Sequence, residues 1–172
     1  MILTSFIDKK QIAELNDCLN KIRHLESQAN GELARFTLLS RLNELPICVN
    51  DIRNKCLAIT GHCLREPMLQ DFLIRILPNG FVNIHTDSSR DGYKHIRFNI
   101  LLQKPLNGGQ IVFNGEKIEQ KIGDCFVLDA SIEHGVSRVL GNVSYRSITF
   151  GFLLPKEKKL NYKKLTTEVL YG

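Results

Sequence analysis

The chain has 172 residues, of which 43% are hydrophobic and 24% are charged. A chain of this length can bury about 70% of the surface that it exposes when unfolded, and the composition is too apolar for intrinsic disorder. No apolar run approaches the roughly 20 residues that a membrane span needs, and the apolar stretch 1–7 is too short for a secretory signal. We therefore predict one cytoplasmic domain spanning residues 1–172.

Cysteine usage and charge exclude several classes of protein. The five cysteines form no Cys-x-x-Cys pair, which argues against a disulfide framework and against a cysteine-rich zinc site. Residues 155–172 contain five Lys and two Glu and so carry +3 of the net charge of +5, which leaves +2 for residues 1–154. We interpret 155–172 as a basic C-terminal tail, and a nucleic-acid partner is not indicated.

Residues 1–69 have the pattern of a mainly helical support. Apolar residues recur at spacings of three and four along one helix face, namely Ile12, Leu15, Leu19 and Ile22. Asp8, followed three residues later by Gln11, has the pattern of a capping box at the start of this helix. A second helix is predicted from Pro46 to a stop at Gly61.

Residues 70–154 have the pattern of a jelly-roll core, with short strands separated by turns. The predicted strands are 72–77, 81–87, 96–103, 110–113, 125–130, 135–140 and 145–154, with a further short strand at 36–39. Turns are predicted at Pro78-Asn79-Gly80 and at Asn114-Gly115, and the second of these is a strong hairpin signal. The fold class is therefore α+β, a jelly roll with the N-terminal helices packed on one sheet.

Alternation along the predicted strands separates packed faces from polar ones. In the 96–103 strand one face is apolar. The other face is mixed, as the lining of a polar cavity would be, and consists of Arg97, Asn99, Leu101 and Gln103. In the 81–87 strand His85 and Asp87 share a face, so the imidazole and the carboxylate can converge on one point. Arg146 shares its face with Ile148 and Phe150, and a guanidinium buried there needs an anion.

His85 and Asp87, together with the distant His134, have the composition of the 2-His-1-carboxylate triad. That ligand set holds non-haem iron(II) on one side and leaves positions open for substrate and O₂. His-x-Asp alone is a weak signal, because a hydrogen-bonded strand histidine gives the same pattern. The third histidine and the inward arginine favour the metal-binding interpretation.

Five motifs follow one another along residues 78–152: PNGFVNIHTD, DGYKHIRFNILL, NGGQIVF, GDCFVLDASIEHGV and YRSITFGF. In this combination and order they resemble the 2-oxoglutarate- and Fe(II)-dependent oxygenases, whose fold is a double-stranded β-helix, a form of jelly roll. The nearest likeness is to the prolyl-hydroxylase-like branch. The segment LDASIEH is also similar to the aspartyl/asparaginyl hydroxylases.

The resemblance implies a role for each residue that matches a family motif. His85, Asp87 and His134 would bind the iron, and Arg146 would grip the distal carboxylate of 2-oxoglutarate, a task that suits a planar guanidinium. The implied chemistry is oxidative decarboxylation of 2-oxoglutarate, coupled to attack on an unactivated C–H bond. In that chemistry the metal and cosubstrate react, while the protein orients and shields them.

Two departures from the family pattern concern the cosubstrate site. The branch usually has a Thr four residues after its basic residue, whereas Thr149 is three residues after Arg146. Leu77 stands where a cosubstrate-binding Tyr is often found. Hydrogen bonds to the cosubstrate are therefore expected from other polar residues, namely Asn83, Tyr93 and Asn99. Arg138 is an alternative to Arg146, although the order of the elements favours Arg146.

These expectations combine into a dioxygenase that hydroxylates a C–H bond of an amino acid, free or in a protein, with release of succinate and CO₂. It would use Fe(II), 2-oxoglutarate and O₂, with ascorbate or another reductant to keep the iron ferrous. The expected partner is a small-molecule or peptide substrate, not a membrane, and no oligomeric state is predicted. Two alternatives stay open. One is an oxidative nucleic-acid demethylase, disfavoured because Gly151 and Phe152 stand where a further Arg is expected; the other is a non-redox cupin-type binding module.

Overall fold

The computed structural model describes residues 1–61, 63–65 and 71–161. Its two α-helices are α1 (Lys9–Lys21) and α2 (Cys48–Thr60). In the described part of the chain the strands are β1 (Ile2–Leu3), β2 (Ser27–Gln28), β3 (Gly31–Leu38), β4 (Leu64–Arg65), β5 (Asp71–His85), β6 (Tyr93–Gln103), β7 (Asn107–Gly108), β8 (Ile111–Phe113), β9 (Glu116–Ile118), β10 (Cys125–Asp129), β11 (His134–Val136), β12 (Val139–Leu140) and β13 (Tyr145–Pro155). Residues 162–172 of the predicted basic tail lie outside the described residues.

The start of α1 and the end of α2 lie where the sequence predicts them, whereas α2 begins at Cys48 and not at Pro46. At the start of α1 the Asp8 side chain accepts the Gln11 N–H at 2.8 Å, and the Gln11 side chain accepts the Asp8 N–H at 3.1 Å, which confirms the capping box. α2 ends at Gly61, whose φ of +64° is a conformation that glycine adopts without strain. Among the described residues, neither helix combines the length and the apolar character that a membrane crossing requires.

Most of the strands form one curled sheet, in the order β1-β10-β6-β13-β5-β11-β8-β9 with antiparallel pairing throughout. β3 also pairs with β5, β4 pairs with β13, and β7 and β12 form a separate two-stranded sheet. β5 joins the two halves of the curl, because residues 71–76 pair with β13 and residues 82 and 85 pair with β11. This arrangement confirms the predicted jelly roll.

The predicted turn at Pro78-Asn79-Gly80 is not a chain reversal. β5 continues through it, and residues 77–80 bulge where the pairing with β3 shifts register. Asn79 has a φ of +67°, the conformation that made the segment resemble a turn, but here the bulge only redirects the strand. The prediction of two separate strands at this point is therefore wrong. The predicted strand 135–140 is likewise divided, between β11 and β12 of the two sheets.

The helices cover one face of the sheet, and the opposite face encloses a cavity. The helix-covered core takes apolar residues from both helices and from β6 and β13: Leu15, Leu19, Ile52, Ile59, Phe98, Ile100, Ile148, Phe150 and Phe152. The other face of β6 presents Arg97 and Asn99 to the cavity. The alternation predicted for this strand is therefore confirmed. The hairpin at Asn114-Gly115 is also confirmed, since it joins the paired strands β8 and β9.

Candidate metal centre and its cavity

Three side chains from the two halves of the curl converge on one point. His85 ends β5 and lies directly opposite His134, which begins β11. Asp87 follows β5, and its N–H donates to the Ala130 carbonyl at 2.8 Å. The Nε2 atoms of His85 and His134 lie 3.6 and 3.5 Å from Oδ1 and Oδ2 of Asp87. One ligand atom from each of these three residues, the triad, lies within 4.8 Å of the others, so the group could hold a metal ion.

Backbone hydrogen bonds set the tautomer of both histidines. His85 Nδ1 lies 2.8 Å from the Asn83 carbonyl oxygen, and His134 Nδ1 lies 2.9 Å from the Ile132 carbonyl oxygen. Because a carbonyl oxygen only accepts, each Nδ1 carries the proton and each Nε2 of a neutral ring has a lone pair. Two lone pairs and a carboxylate that face one point repel one another unless a cation lies between them. Two imidazoles and one carboxylate fit a divalent transition metal such as iron(II).

Arg97 places a buried positive charge beside the triad. Its Nε lies 3.1 Å from Asp87 Oδ2 and 3.4 Å from His95 Nε2, and its guanidinium carbon lies 5.2 Å from the centre of the Phe72 ring. Burial raises the pKa of the Asp87 carboxyl, but the proximity of His134 and the charge of Arg97 outweigh burial, so this pKa lies below its usual value. Asp87 is therefore ionised at neutral pH and can bind a cation.

Gly135 allows β11 to approach β5 closely beside the triad. A Cβ at this position would lie 2.8 Å from the carbonyl oxygens of Asn83 and Val82. The Asn83 carbonyl is also the acceptor for His85 Nδ1. The glycine that follows His134 therefore preserves the contact that orients the His85 ring.

The triad opens into a cavity of about 360 Å³ between the two halves of the curl. The walls are mostly apolar: Phe36, Phe72, Ile74, Val82, Ile111, Leu128 and Val136. Among the described residues that line it, Arg97 is the one Lys or Arg side chain. The volume suits a small organic molecule, and the mostly apolar lining favours burial of apolar groups.

A neutral hydrogen-bonded network forms the part of the cavity wall where β6 meets β13. Tyr145 Oη donates to Asn99 Oδ1 at 3.1 Å, and Asn99 Nδ2 donates to Thr149 Oγ1 at 3.2 Å. A longer contact of 3.4 Å joins Asn99 Nδ2 to Ser147 Oγ. Burial raises the pKa of Tyr145 to about 12, so the phenol keeps its proton at neutral pH. We call Tyr145, Asn99 and Thr149, which all line the cavity, the neutral network.

Of the three polar residues predicted to support the cosubstrate, Asn99 lines the cavity. The exposed side chain of Asn83 donates to Asn30 Oδ1 at 3.2 Å, and Asn83 contributes to the triad through its backbone carbonyl. Tyr93 begins β6, and its ring centre lies 5.6 Å from the guanidinium carbon of Arg90. The structure does not bring the side chains of Asn83 and Tyr93 to the cavity lining.

Arg146 lies on the helix-covered face of the sheet. Its Nη1 donates to Asn16 Oδ1 of α1 at 3.2 Å. Arg146 is paired across strands with Arg75, which forms a buried ion pair of 2.6 Å with Glu26. Burial lowers the pKa of Arg146, and the charges of Arg75 and Arg23 lower it further. The sheet separates Arg146 from the cavity, so the expectation that it grips the distal carboxylate of a 2-oxoglutarate bound there is wrong.

The alternative arginine, Arg138, does not line the cavity either. It is exposed, its Nη1 donates to the Asn79 carbonyl, and its guanidinium carbon lies 4.6 Å from the centre of the Phe81 ring. The cavity-facing residue four positions before Thr149 is Tyr145. The sequence analysis did not name Tyr145, although it stands four residues before Thr149, where the family pattern places the basic residue.

Comparisons with known proteins identify the fold. No protein-family model and no curated protein matches the sequence. The viral collagen prolyl hydroxylase vCPH from Paramecium Bursaria Chlorella virus-1, in its 2OG complex, is similar with a TM-score of 0.63 at 14% identity, over 91% of this chain and 96% of that chain. HygX from Streptomyces hygroscopicus, with nickel, 2-oxoglutarate and hygromycin B bound, gives a TM-score of 0.65 at 12% identity, over 91% and 83%. An oxidoreductase of the 2OG-Fe(II) oxygenase family from Burkholderia pseudomallei gives 0.62 at 18% identity, over 90% and 83%.

The fold is that of the 2-oxoglutarate- and iron(II)-dependent oxygenases. The fold expected from the sequence resemblance is therefore confirmed, and prolyl hydroxylases are among the similar structures. At 11–18% identity the likeness concerns the backbone. The chemistry of the site follows from this chain's own residues.

Proposed function

We propose that this protein is a cytoplasmic iron(II)-dependent oxygenase that uses 2-oxoglutarate or a related 2-oxo acid. It would hydroxylate an unactivated C–H bond of an amino acid, free or within a protein. The observation that carries the proposal is the convergence of His85, Asp87 and His134 at one end of a largely apolar cavity. All five cysteines are free, which fits a reducing compartment.

Each residue of the site has a definite task in this proposal. His85 and His134 bind the metal through Nε2, and Asp87 binds it through a carboxylate oxygen. Iron(II) held there supplies O₂ activation coupled to oxidative decarboxylation of the 2-oxo acid, which converts 2-oxoglutarate to succinate and CO₂. Arg97 holds the Asp87 carboxylate in place and offsets its charge. The apolar walls exclude water from the reacting groups.

Two similar structures support the proposed substrate class. HygX is seen with the small molecule hygromycin B, and vCPH is a collagen prolyl hydroxylase. The fold therefore admits both a small molecule and a residue of a protein, and for this chain we propose an amino acid, free or in a peptide. In this proposal residues 1–172 act as one domain, in which 1–69 support the core 70–154 and 155–172 form a basic tail.

Anaerobic titration of the iron(II)-loaded protein with 2-oxoglutarate tests the proposal. We expect an iron–cosubstrate charge-transfer band, followed by O₂ consumption that depends on the 2-oxo acid once air is admitted. The Asp87→Ala variant is the control and should show neither. Metal binding without O₂ consumption would contradict an oxygenase and favour the cupin-type module. Preferential oxidation of a methylated oligonucleotide over amino acids and peptides would favour the demethylase.

A further inference from the structure

The charged side chains that line the cavity lie at the triad, and we call this part of the cavity the triad end. Asp87 and Arg97 are in contact there, and a divalent metal in the triad adds its charge at the same place. The described lining residues include no other carboxylate and no other Lys or Arg. The cavity therefore fits a small molecule whose negative charge is concentrated at one end.

The neutral network lines the cavity wall beyond Arg97, and we call this part of the cavity the far end. Asn99 follows Arg97 on the same face of β6, roughly 7 Å further along at about 3.3 Å per residue, and it is paired with Thr149 of β13. Tyr145, Asn99 and Thr149 satisfy much of one another's hydrogen-bonding capacity. The Tyr145 phenol is neutral at physiological pH, since burial raises its pKa to about 12.

The nearby guanidinium groups of β13 and β5 do not supply a charge to the far end. Arg146 is adjacent to Tyr145 in sequence but donates to Asn16 on the helix-covered face. Arg75, opposite Arg146, is paired with Glu26 on that same face. Among the described residues, a carboxylate at the far end would therefore exchange water for neutral donors alone, an exchange that is unfavourable without a compensating cation.

We propose that the neutral network selects the 2-oxo acid, and that this protein accepts a 2-oxo acid with an uncharged tail with an affinity within about 30-fold of that for 2-oxoglutarate. The inference rests on the proposed function, because it concerns the cosubstrate of that site. Both kinds of acid present the same 2-oxo carboxylate group to the triad end. At the far end a second carboxylate gains little binding free energy over an apolar tail, so the difference in affinity between the two acids is small.

Binding to the nickel-loaded protein tests the proposal without turnover. Calorimetric titration compares 2-oxoglutarate with 2-oxopentanoate, which has the same chain length and lacks the second carboxylate. We expect the two dissociation constants to differ by less than about 30-fold. A preference for 2-oxoglutarate above about 30-fold, as expected when a desolvated cation grips the second carboxylate, overturns the proposal.

Tyr145→Phe tests the network directly, because it removes one hydroxyl and keeps the ring. We expect 2-oxoglutarate binding to weaken by about 5-fold, the scale of one neutral hydrogen bond, and 2-oxopentanoate binding to change by less than about 2-fold. Arg146→Gln, one residue along, is the matched control and should change neither. Selective loss of 2-oxoglutarate binding in Arg146→Gln, with Tyr145→Phe unaffected, overturns the proposal. Thr149→Val provides the same comparison if Tyr145→Phe does not fold.

The result that would contradict the proposed function differs from the result that would contradict the inference. If the nickel-loaded protein binds neither acid, the cavity is not a 2-oxo acid site, and the proposed function and the inference are both wrong. If it binds both acids but prefers 2-oxoglutarate above the stated limit, the proposed function stands and only the inference is wrong.

Discussion

At the scale of single residues, the triad is held by local contacts that are separate from the hydrophobic cores. Backbone carbonyls orient His85 and His134, and Arg97 contacts Asp87. The side chains of His85, Asp87 and His134 keep 25%, 16% and 12% of their surface exposed. None of the three residues belongs to the hydrophobic cores, so metal binding can be tested separately from core packing.

His134→Ala and Asp87→Ala should each abolish tight metal binding and leave the fold intact. Loss of either residue leaves a two-ligand site, and we expect the affinity for nickel or iron(II) to fall at least about 100-fold, beyond the usual effect of losing a group that only supports a ligand. Metal titration measures the affinity, and far-ultraviolet circular dichroism checks the fold. Asp91→Ala, which changes an exposed carboxylate four residues beyond Asp87, is the control. Full metal affinity in both triad variants would show that the ligand assignment is wrong.

Glu26 is the buried anion that faces the arginines of the helix-covered face. It pairs with Arg75 at 2.6 Å, with 8% and 7% of the two side chains exposed, and it opposes the effect of Arg75 and Arg23 on the pKa of Arg146. Glu26→Gln leaves these positive charges without that partner. We expect the free energy of unfolding to fall by about 3 kcal/mol, as measured by urea denaturation.

The exposed ion pair of Asp17 with Lys21 on α1 provides the comparison for Glu26. It spans 3.8 Å, with 73% and 77% of the side chains exposed, so Asp17→Asn should change the free energy of unfolding by less than about 0.5 kcal/mol. Equal effects of the two substitutions would mean that burial adds nothing to the Glu26 interaction.

At the scale of elements, the close pairing of β5 and β11 sets the distance between the two histidines. Gly135→Ala would place a methyl group 2.8 Å from the Asn83 carbonyl, and separating the strands would disturb the acceptor of His85 Nδ1. We expect a loss of about 1–3 kcal/mol in the free energy of unfolding, together with weaker metal binding. Denaturant unfolding and metal titration measure the two effects.

Gly141→Ala is the control for Gly135→Ala, because it strains the backbone at a glycine and leaves the metal site undisturbed. Gly141 has a φ of +90° and nothing within 4 Å of its Cβ position, so the substitution strains the backbone without placing a methyl group against the triad. Its metal affinity should stay at the wild-type value although its stability falls. A loss of metal affinity in Gly141→Ala that equals the loss in Gly135→Ala would argue against a local role for Gly135.

The period-two pattern of single strands predicted much of the site. It assigned His85 and Asp87 to one face and placed Asn99 on the cavity face of β6. The same pattern grouped Arg146 with Ile148 on the apolar face, and that face is the helix-covered core. The error came from giving the family pattern more weight than the alternation. A cavity role for Arg146 would have required a bulge that β13 lacks in its pairing with β5.

At the scale of the whole molecule, the features that the sequence did not predict depend on contacts between distant segments. The neutral network exists because Asn99 and Thr149, fifty residues apart, are paired across β6 and β13. The bulge at 77–80 depends on β3, which pairs with β5 on both sides of it. Local signals at 78–80 indicated a turn, and only the neighbouring strand makes the chain continue.

The arrangement of charges in the whole molecule predicts that the metal and the 2-oxo acid bind in order. Without a metal, Arg97 offsets the negative charge of Asp87 at the triad end, and two imidazole lone pairs face the same point, so this end has no net positive charge to attract a 2-oxo carboxylate. Metal binding makes this end positive. A 2-oxo acid should therefore stabilise the metal-loaded protein and leave the metal-free protein unchanged.

Thermal unfolding measures this order of binding. A 2-oxo acid at 100 times its dissociation constant adds about 2.7 kcal/mol of stability, so the midpoint of the nickel-loaded protein should rise by about 5–10 °C for a domain of this size. Neither chelator-treated protein nor His134→Ala should show the rise. An equal rise in the metal-free protein would place the acid at a site independent of the triad. The arginines of the helix-covered face, Arg75 and Arg146, would then be the candidate site for the acid, because they supply positive charge without a metal.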